Sequence, residues 1–221
     1  MNPFWLMIII VFIFNQQLIS SQSIQLSNRT FAIDYKNNMF LLDGSPFRYI
    51  AGSIHYFRIH PDYWDDRMQR VRAAGLNAIQ TYIPWNFHEV RKAKYLFSGQ
   101  RNITHFFELA MSNQFFYLRI GPYICAEWEN GGLPWWLLRD YRDINQRSSD
   151  LRYKKEVQNW FGKLLPIIHP YLFKNGGPIL MIQAENEYGS NANCDHGYMQ
   201  WLTDLIRHHL GAETIQYTSK S

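Results

Sequence analysis

Strand-like and helix-like segments alternate along most of this chain, and this alternation limits its possible folds more than any other feature of the sequence. Short runs rich in β-branched and aromatic residues are separated by longer amphipathic runs. The predicted strands are 49–55, 77–83, 115–120, 179–187 and 214–218. Strands that alternate with helices form parallel sheets with helical crossovers. The pattern therefore predicts an α/β fold, either an open doubly wound sheet or the first part of a (β/α)8 barrel.

The intervening helices carry recognisable start and stop signals. Pro61 and the pair Asp65-Asp66 favour the start of the first helix, and Gly75 favours its end. Amphipathic spacing predicts three more helices, at 103–111, 153–165 and 198–210. A complete barrel typically takes about 250 residues. If the fold is a barrel, we expect the chain to reach only about its fifth strand.

The first residues form a segment distinct from the rest. Eleven apolar residues at 4–14 precede a polar stretch rich in Ser and Gln, as in a secretory signal peptide and its cleavage zone. An uncleaved membrane anchor is the less favoured alternative. We predict three segments: a signal peptide at 1–23, an N-terminal extension with a short β-hairpin at 24–46, and an incomplete barrel domain at 47–221.

Other features agree with the secretory route. Asn28 and Asn102 each begin an Asn-x-Ser/Thr sequon, although so short a motif often arises by chance. Cys125 and Cys194 are too few for a disulfide framework, so the hydrophobic core must hold the fold. We expect a lysosomal or extracellular glycoprotein with no stable membrane anchor after cleavage of the signal peptide.

Charge and composition exclude several classes of function. Lys and Arg number 22 against 18 Asp and Glu, and no stretch concentrates the basic excess, which argues against nucleic acid as a partner. The sequence contains no His-Glu-x-x-His zinc helix, no Gly-x-Ser-x-Gly elbow and no Gly-rich phosphate loop. We therefore expect no cofactor and no metal. Aromatic residues make up 17% of the chain, which suits a sugar-binding cleft or simply an aromatic core.

The fourth predicted strand ends in polar residues, where a barrel strand would reach the active-site face. Because side chains alternate along a strand, Gln183, Glu185 and Glu187 are expected on one side. Asn186 would then lie on the other side, and Glu187 at the mouth. A carboxyl group partly desolvated there by a ring such as Tyr188 could donate a proton to a leaving oxygen. The alternative is that the two glutamates merely end a strand with surface charge.

Two other strand ends carry residues suited to sugar binding. After the third strand, Gly, Pro and Asn open a long loop in which Glu127 stands beside Trp128, an acceptor next to an apolar ring. Spacing does not decide between Glu127 and Glu129. At the end of the second strand, Tyr82 lies near the mouth and Pro84 closes the strand. A single Tyr in such a place more often packs in a core than contacts a ligand.

These three segments together resemble glycoside hydrolase family 35, the acid β-galactosidases. The matching stretches are GGPILMIQAENEYG at 176–189, YICAEW at 123–128 and AIQTYIPWN at 78–86. The similarity runs from about residue 47 to about residue 211. The resemblance implies a (β/α)8 barrel. It also implies an enzyme that removes terminal non-reducing β-D-galactose from glycans and glycolipids with retention of configuration.

The resemblance also implies roles for individual residues. Glu187 corresponds to the acid/base, whereas Glu185 would be a buried strand residue. The implied galactose contacts are Tyr82, Ala126, Glu127 and Asn186, the last toward the sugar 2-hydroxyl. Retention needs a second carboxylate roughly 5 to 5.5 Å from the first. In the family this nucleophile lies in the seventh strand, past Ser221, so the chain alone is expected to be inactive.

Two details of this resemblance concern structure rather than catalysis. The chain reads Arg-Ile-Gly-Pro-Tyr at 119–123, where the family usually has Arg-Pro-Gly-Pro-Tyr, a change that affects the turn but none of the assigned contacts. Cys194 corresponds to a half-cystine whose mate lies past Ser221. Cys125 would then be a buried free thiol.

Two other functions stay open at this point. The chain could be a truncated, non-catalytic product that binds galactose or acts as a partner protein. It could also be a related barrel glycosidase with a different sugar specificity, because the Asn-Glu strand ending is shared across that wider group. A homo-oligomer stays open as well. The sequence past residue 221 would separate the first alternative from a galactosidase, because a seventh-strand Glu would restore the catalytic pair.

Overall fold

The strands of this chain form two separate sheets, one antiparallel and one parallel. The structure is a computed structural model that describes residues 29–111, 115–192 and 194–219. The predicted signal peptide at 1–23 and the sequon residue Asn28 lie outside the described residues. Within those ranges, none of the helices combines the length and apolar character needed to cross a bilayer.

The N-terminal sheet has three antiparallel strands in the order β1-β2-β3. They are Phe31–Asp34 (β1), Met39–Leu42 (β2) and Ser45–Phe47 (β3). The sequence predicts only the hairpin of β1 and β2. A third strand follows because Asp43 and Gly44 both adopt positive φ, 49° and 77°, and reverse the chain into β3.

Five parallel strands form the main sheet, in the order β4-β5-β6-β7-β8. They are Ala51–Ser53 (β4), Ala78–Tyr82 (β5), Phe115–Gly121 (β6), Ile179–Ala184 (β7) and Ile215–Tyr217 (β8). Neighbours in this sheet are also neighbours in sequence, as in a barrel. A doubly wound sheet would instead reverse its strand order at a switch point. The barrel prediction is therefore confirmed over the first five strands.

Six α-helices are described between these strands. They are Trp64–Ala73 (α1), Trp85–His88 (α2), Ile103–Met111 (α3), Trp136–Asp140 (α4), Leu151–Ile168 (α5) and His196–Leu210 (α6). Helices α5 and α6 begin two residues before their predicted starts. The reason is an N-cap at each, since Asp150 and Asp195 accept hydrogen bonds from the N–H groups of Arg152 and Tyr198.

The two faces of the parallel sheet bury different sets of residues. On the outer face, Ile79, Leu118 and Ile182 pack with the helices, including fully buried Trp160 of α5. On the inner face, a smaller cluster forms, made up of Ala78, Tyr117, Phe173, Leu180 and Met181. Consecutive residues of β5 and β6 alternate between the two clusters, Ala78 with Ile79 and Tyr117 with Leu118, as in strands that turn every second side chain into a barrel.

The N-terminal sheet covers the end of the barrel where the strands begin. The ring of Phe47 in β3 packs edge-on against Phe115, the first residue of β6, at 5.5 Å between centroids. The guanidinium of Arg29 lies 3.8 Å from the centre of the Phe173 ring. The opposite end, where the strands finish, is left uncovered by this sheet.

Candidate active site

The carboxyl ends of β5, β6 and β7 lie side by side. Tyr82 pairs in register with Arg119, and Gly121 pairs with Ala184. The ladder continues past β7, because the N–H of Glu185 donates to the carbonyl of Gly121 at 2.8 Å. The three segments that the sequence singles out therefore meet at one edge, the C-terminal face that carries the active site in barrel enzymes.

Strand β7 ends at Ala184, three residues before its predicted end, and the chain then turns sharply. Glu185 and Glu187 both have left-handed backbone, with φ of 59° and 48°. Glu185 and Asn186 are buried, at 1% and 3% exposure, whereas Glu187 is exposed. The predicted alternation from Gln183 to Glu187 is wrong beyond Ala184, since alternate side chains share a side only in extended backbone.

Glu187 stands at the mouth of the sheet and is exposed to solvent. Its N–H donates to Ser219 Oγ at 2.9 Å. The expected shielding of its carboxyl group by Tyr188 is wrong, because the Tyr188 ring is turned inward and buried. The Tyr188 hydroxyl donates to the carbonyl of Arg147 at 2.7 Å, and the ring lies 5.5 Å from that of Tyr198. The carboxyl group of Glu187 is thus accessible to a ligand.

Glu185 lies beneath this turn, with both carboxylate oxygens engaged. Arg147 Nε donates to Oε2 at 2.9 Å, and the Tyr198 hydroxyl donates to Oε1 at 2.6 Å. Burial raises the pKa of Glu185, although the charge of Arg147 and the hydrogen bond from Tyr198 favour the ionised form. The residue is buried, as the resemblance implies, and its oxygens have protein partners rather than access to a ligand.

Arg119 joins two of the implied galactose contacts and was missed by the sequence reasoning. Its Nη1 donates to the Tyr82 hydroxyl at 2.5 Å, and its Nη2 donates to Oδ1 of Asn186. A planar guanidinium can hold two acceptors at a fixed angle, which an ammonium cannot. The signal in the sequence is a lone Arg near the end of an apolar strand, two residues after inward-facing Tyr117.

Ile120, which replaces the family's usual Pro, is fully buried in the outer core.

The loop after β6 presents Ala126 and Glu127 on a left-handed backbone. Cys125, Ala126 and Glu127 have consecutive φ values of 58°, 57° and 44°. Arg58, which follows β4, donates from Nη2 to the carbonyl oxygens of both Ala126 and Glu127, the latter at 3.2 Å. Non-glycine residues rarely adopt this conformation unless surrounding contacts impose it. The loop also meets helix α2, since Trp128 Nε1 donates to Asn86 Oδ1 at 2.8 Å.

The side chain of Glu127 is exposed and acts electrostatically on Tyr82. Burial raises the pKa of the Tyr82 hydroxyl, and the charge of Glu127 raises it further, while Arg119 opposes both effects. Glu129 contacts the neighbouring helix α2 through its backbone, because its carbonyl oxygen accepts a hydrogen bond from Asn86 Nδ2 at 3.2 Å. Of the two glutamates that spacing leaves open, Glu127 is the one coupled to Tyr82.

His55, just beyond β4, extends this row of residues. Its ring lies 5.0 Å from that of Tyr82. Burial, with the nearby charges of Arg58 and Arg119, lowers the pKa of His55 to about 4. Its Nδ1 atom is buried and has no hydrogen-bond partner among the described residues. His55 is therefore an uncharged ring beside the predicted sugar contacts.

Neither cysteine forms a disulfide within the described residues. Cys194 is exposed, in keeping with a half-cystine, and its pairing stays a prediction. Cys125 is only partly buried, so the expected burial of its thiol is incomplete.

Comparison with known proteins identifies a family over most of the chain. A family model described as "Glycosyl hydrolases family 35" matches residues 39–221. The chain is 52% identical over 194 residues to a β-galactosidase of Bos taurus, covering 87% of this chain and 30% of that protein. It is 50% identical over 194 residues to a β-galactosidase of Homo sapiens, covering 87% of this chain and 28% of that protein. The chain thus spans less than a third of the length of these relatives.

Two solved structures resemble the fold at low sequence identity. An exo-β-1,4-mannosidase from Opitutaceae bacterium strain TAV5 aligns with a TM-score of 0.59 at 14% identity, covering 88% of this chain and 34% of that one. A GH5_18 protein from Streptomyces cattleya in complex with GlcNAc also gives 0.59, at 9% identity, covering 77% of this chain and 44% of that one. These likenesses support the same fold, a partial (β/α)8 barrel preceded by a small antiparallel sheet.

Proposed function

This chain belongs to family 35 of the glycosyl hydrolases, and we propose that it supplies the acid/base side of an active site for terminal β-linked galactose. One observation carries the proposal: Glu187 presents an exposed carboxyl group at the end of the fourth barrel strand, next to buried Asn186. The sugar class comes from the relatives, which are named β-galactosidases. The substrates proposed are β-galactosides of glycans and glycolipids.

In the first chemical step, Glu187 would act as a general acid. Its proton passes to the glycosidic oxygen while a second carboxylate attacks the anomeric carbon, so that the leaving alcohol departs and a covalent glycosyl-enzyme forms. In the second step, ionised Glu187 takes a proton from water as the water attacks the anomeric carbon. The bond to the second carboxylate breaks, and galactose leaves with its configuration retained.

The second carboxylate is proposed to lie in a seventh barrel strand, past Ser221. Glu185 is unsuited to this part, because it is 1% exposed and its two oxygens accept hydrogen bonds from Arg147 and Tyr198. Glu127 is better placed as a sugar contact, since it is exposed and coupled to Tyr82.

The remaining residues would orient the sugar. Asn186 directs Oδ1 toward Arg119 and Gln183, which leaves its amide nitrogen to donate to the 2-hydroxyl. Glu127 offers carboxylate oxygens to sugar hydroxyls, and Tyr82 offers a ring face and a hydroxyl beside it. Ala126 has only its backbone to offer, and the Arg58 hydrogen bond fixes that backbone.

We also propose that the protein follows the secretory route to the lysosome or the cell exterior. The sequence supports this through the predicted signal peptide at 1–23. The sequon residue Asn102 supports it too, because it is partly exposed at the start of α3, where a glycan could be attached. Treatment of the secreted protein with a peptide N-glycosidase tests the glycan directly.

The test of the proposed function is Glu187→Gln in the full-length protein, assayed on two substrates. Phenyl β-D-galactoside needs a proton on its leaving oxygen, whereas 2,4-dinitrophenyl β-D-galactoside does not. We expect kcat on the phenyl substrate to fall by about 10²-fold to 10⁴-fold, the range typical of general acid catalysis. Formation of the glycosyl-enzyme from the dinitrophenyl substrate should change much less, and azide should restore turnover by giving β-galactosyl azide.

The matched control is Glu129→Gln, which makes the same isosteric change at another exposed glutamate of the same face. It should leave the ratio of the two rates unchanged. If Glu187→Gln slowed formation of the glycosyl-enzyme equally on both substrates, or left activity on the phenyl substrate unchanged, the acid role would be ruled out.

A further inference from the structure

We propose that Arg147, Glu185 and Ser219 form a positioning device for the proposed acid/base, and we call these three residues the peptide clamp. The peptide clamp fixes the peptide bond between Asn186 and Glu187, and so sets the direction in which the Glu187 carboxyl group leaves the turn. This inference rests on the proposed function of Glu187, which it deepens.

The peptide bond between Asn186 and Glu187 is held at both ends by side chains. Arg147 Nη2 donates to the carbonyl oxygen of Asn186 at 2.6 Å. On the other side of the same bond, the N–H of Glu187 donates to Ser219 Oγ at 2.9 Å. With its oxygen and its N–H both anchored, this peptide plane cannot rotate without losing a hydrogen bond.

The preceding peptide bond, between Glu185 and Asn186, is held as well. Gln183 Nε2 donates to the carbonyl oxygen of Glu185 at 2.8 Å. The N–H of Asn186 lies 3.3 Å from Oε2 of Glu185, the same oxygen that accepts from Arg147. One carboxylate oxygen thus joins the Arg147 side chain to the backbone of the turn.

Arg147 is itself fixed from several directions. Its guanidinium lies 3.9 Å from the centre of the Tyr123 ring, and its carbonyl accepts from the Tyr188 hydroxyl at 2.7 Å. Only 14% of its side chain is exposed, against none of the Glu185 side chain. Arg147 precedes α5, Tyr123 follows β6 and Glu185 follows β7. The contacts of Arg147 with Tyr123 and Glu185 therefore join three segments at the C-terminal face.

This arrangement explains how the turn keeps two left-handed glutamates. Glu185 and Glu187, with φ of 59° and 48°, hold a conformation that non-glycine residues avoid. The hydrogen bonds of the peptide clamp oppose relaxation of the turn toward an extended backbone. Such a relaxation would swing the Glu187 side chain away from the edge shared with Tyr82 and Asn186. Proton transfer requires hydrogen-bond contact with the leaving oxygen, and a displacement of about 1 Å can cost about 10²-fold in rate.

Another buried ion pair in the same chain serves as a comparison. Glu156 of α5 is 4% exposed and accepts from Lys92 at 2.7 Å and from the Tyr141 hydroxyl at 2.7 Å. It therefore matches Glu185 in burial, in having a cationic partner and in having a tyrosine donor. Its hydrogen bonds go to side chains, those of Lys92, Tyr141 and Asn159, and not to the backbone of the turn.

The experiment measures kcat/KM, which reports the steps up to formation of the glycosyl-enzyme, on the two galactosides defined above. It uses the full-length protein and the variants Arg147→Lys, Glu185→Gln, Ser219→Ala and the control Glu156→Gln. Arg147→Lys and Glu185→Gln should lower kcat/KM on the phenyl substrate about tenfold more than on the dinitrophenyl substrate, because formation of the glycosyl-enzyme needs a placed proton donor only with the phenyl leaving group. Ser219→Ala removes the hydrogen bond from the N–H of Glu187 and the longer one from Gln183 Nε2, and should shift the same ratio about threefold. Glu156→Gln should lower stability and leave the ratio unchanged.

The outcomes separate this inference from the proposed function beneath it. If Glu187→Gln alters the rate ratio and the variants of the peptide clamp do not, the acid role stands and the positioning role is wrong. If Glu187→Gln leaves the ratio unchanged, the proposed function itself fails. If Glu185→Gln does not fold, Ser219→Ala still tests the positioning role, because this variant removes no buried charge and is expected to fold. An unchanged rate ratio in Ser219→Ala would then overturn the inference. A shift in Glu156→Gln equal to that in Glu185→Gln would also overturn the inference, because the effect would then follow from burial alone.

Discussion

The guanidinium of Arg119 lies 4.3 Å from the centre of the Tyr82 ring, and its Nη1 atom is 2.5 Å from the Tyr82 hydroxyl. The same side chain reaches Asn186 through Nη2. Arg119 lies on β6, between β5, which ends with Tyr82, and β7, which Asn186 follows. It therefore ties the β5 side of the candidate site to the β7 side.

We predict that Arg119→Lys lowers kcat/KM for β-galactosides by about tenfold to 10²-fold. Lysine keeps the positive charge but has one ammonium in place of a planar fork, so it cannot hold Tyr82 and Asn186 at the same time. The measurement is steady-state hydrolysis of p-nitrophenyl β-D-galactoside. Arg70→Lys is the control, because Arg70 is an exposed residue of α1 paired with Asp66. Equal kinetics for the two variants would contradict the proposed role of Arg119.

Gly131 in the loop after β6 should not tolerate a side chain. A Cβ atom there would lie 2.0 Å from Cε2 of Tyr123, and the residue has φ of 57°. Gly99 has the same φ, but no atom lies within 4 Å of its Cβ position. We predict that Gly131→Ala destabilises the protein by at least about 2 kcal/mol more than Gly99→Ala, since both carry the backbone cost of about 1 kcal/mol and only the former adds a clash. Urea unfolding of both variants measures the difference. Equal unfolding midpoints would contradict the prediction, because they would show that Tyr123 or the loop moves aside at no cost in free energy.

Acidification should weaken the fold partly through His88. This side chain is buried, with Nε2 2.5 Å from the Tyr56 hydroxyl and Nδ1 2.8 Å from the carbonyl of Leu96. Burial lowers the pKa of His88 to about 4, whereas an unfolded histidine titrates near about 6.5. The unfolded state therefore binds the proton more readily. The contribution of His88 to the free energy of unfolding is complete above about pH 6.5 and is lost as the pH falls toward 4.

A pKa lowered by this much corresponds to about 3 kcal/mol over that interval. We predict that His88→Gln is less stable than the parent near pH 7 and that acidification to about pH 4 costs it less. Urea unfolding at both pH values gives the two differences. The same loss on acidification in parent and variant would assign the acid sensitivity to other groups.

Asn102 combines a glycosylation sequon with a helix cap. Its Oδ1 accepts hydrogen bonds from the N–H of His105 at 3.1 Å and from the Thr104 hydroxyl at 2.7 Å, at the start of α3. We predict that Asn102→Asp abolishes glycosylation at this site yet keeps the cap, whereas Asn102→Ala loses both. In unglycosylated protein, Asn102→Ala should therefore be less stable by about 1 kcal/mol than Asn102→Asp. Thermal unfolding compares the two, and equal stability would mean that the cap contributes nothing.

The order of the strands and helices can be predicted from the sequence, and so can the edge of the parallel sheet at which the candidate site forms. The sequence pattern identifies all five parallel strands. The signal is plainest for β6 and β7, which are largely buried and therefore form apolar runs bounded by turn residues. The start of β7 at Ile179 is predicted correctly, but its end is not. The apolar run gives no sign that extended backbone stops at Ala184, since the left-handed turn depends on Arg147, which is distant in sequence.

The residues of the candidate site likewise fall into a group that the sequence predicts and a group that it does not. Glu187, Asn186, Tyr82, Ala126 and Glu127 can be proposed from the sequence, because each lies in a motif, at or after a strand end, that resembles the family. Arg119 and Arg58 cannot, since their importance lies in partners on other strands and loops that only the folded chain brings within reach. The inward turn of Tyr188 is another case, because it depends on the carbonyl of Arg147 and not on any neighbour in sequence.

The N-terminal sheet has a consequence for the order of events during synthesis. Strands β1 to β3 leave the ribosome early, yet their Phe31, Leu42 and Phe47 side chains pack against Phe115 and a cluster that contains Phe173, which belong to much later parts of the chain. Until those parts emerge, the apolar side of the small sheet has no docking partner, and contacts of such long sequence separation form slowly. The earliest residues of the fold are therefore among the last to settle, and a chaperone that binds nascent apolar strands would meet this protein at β1 to β3.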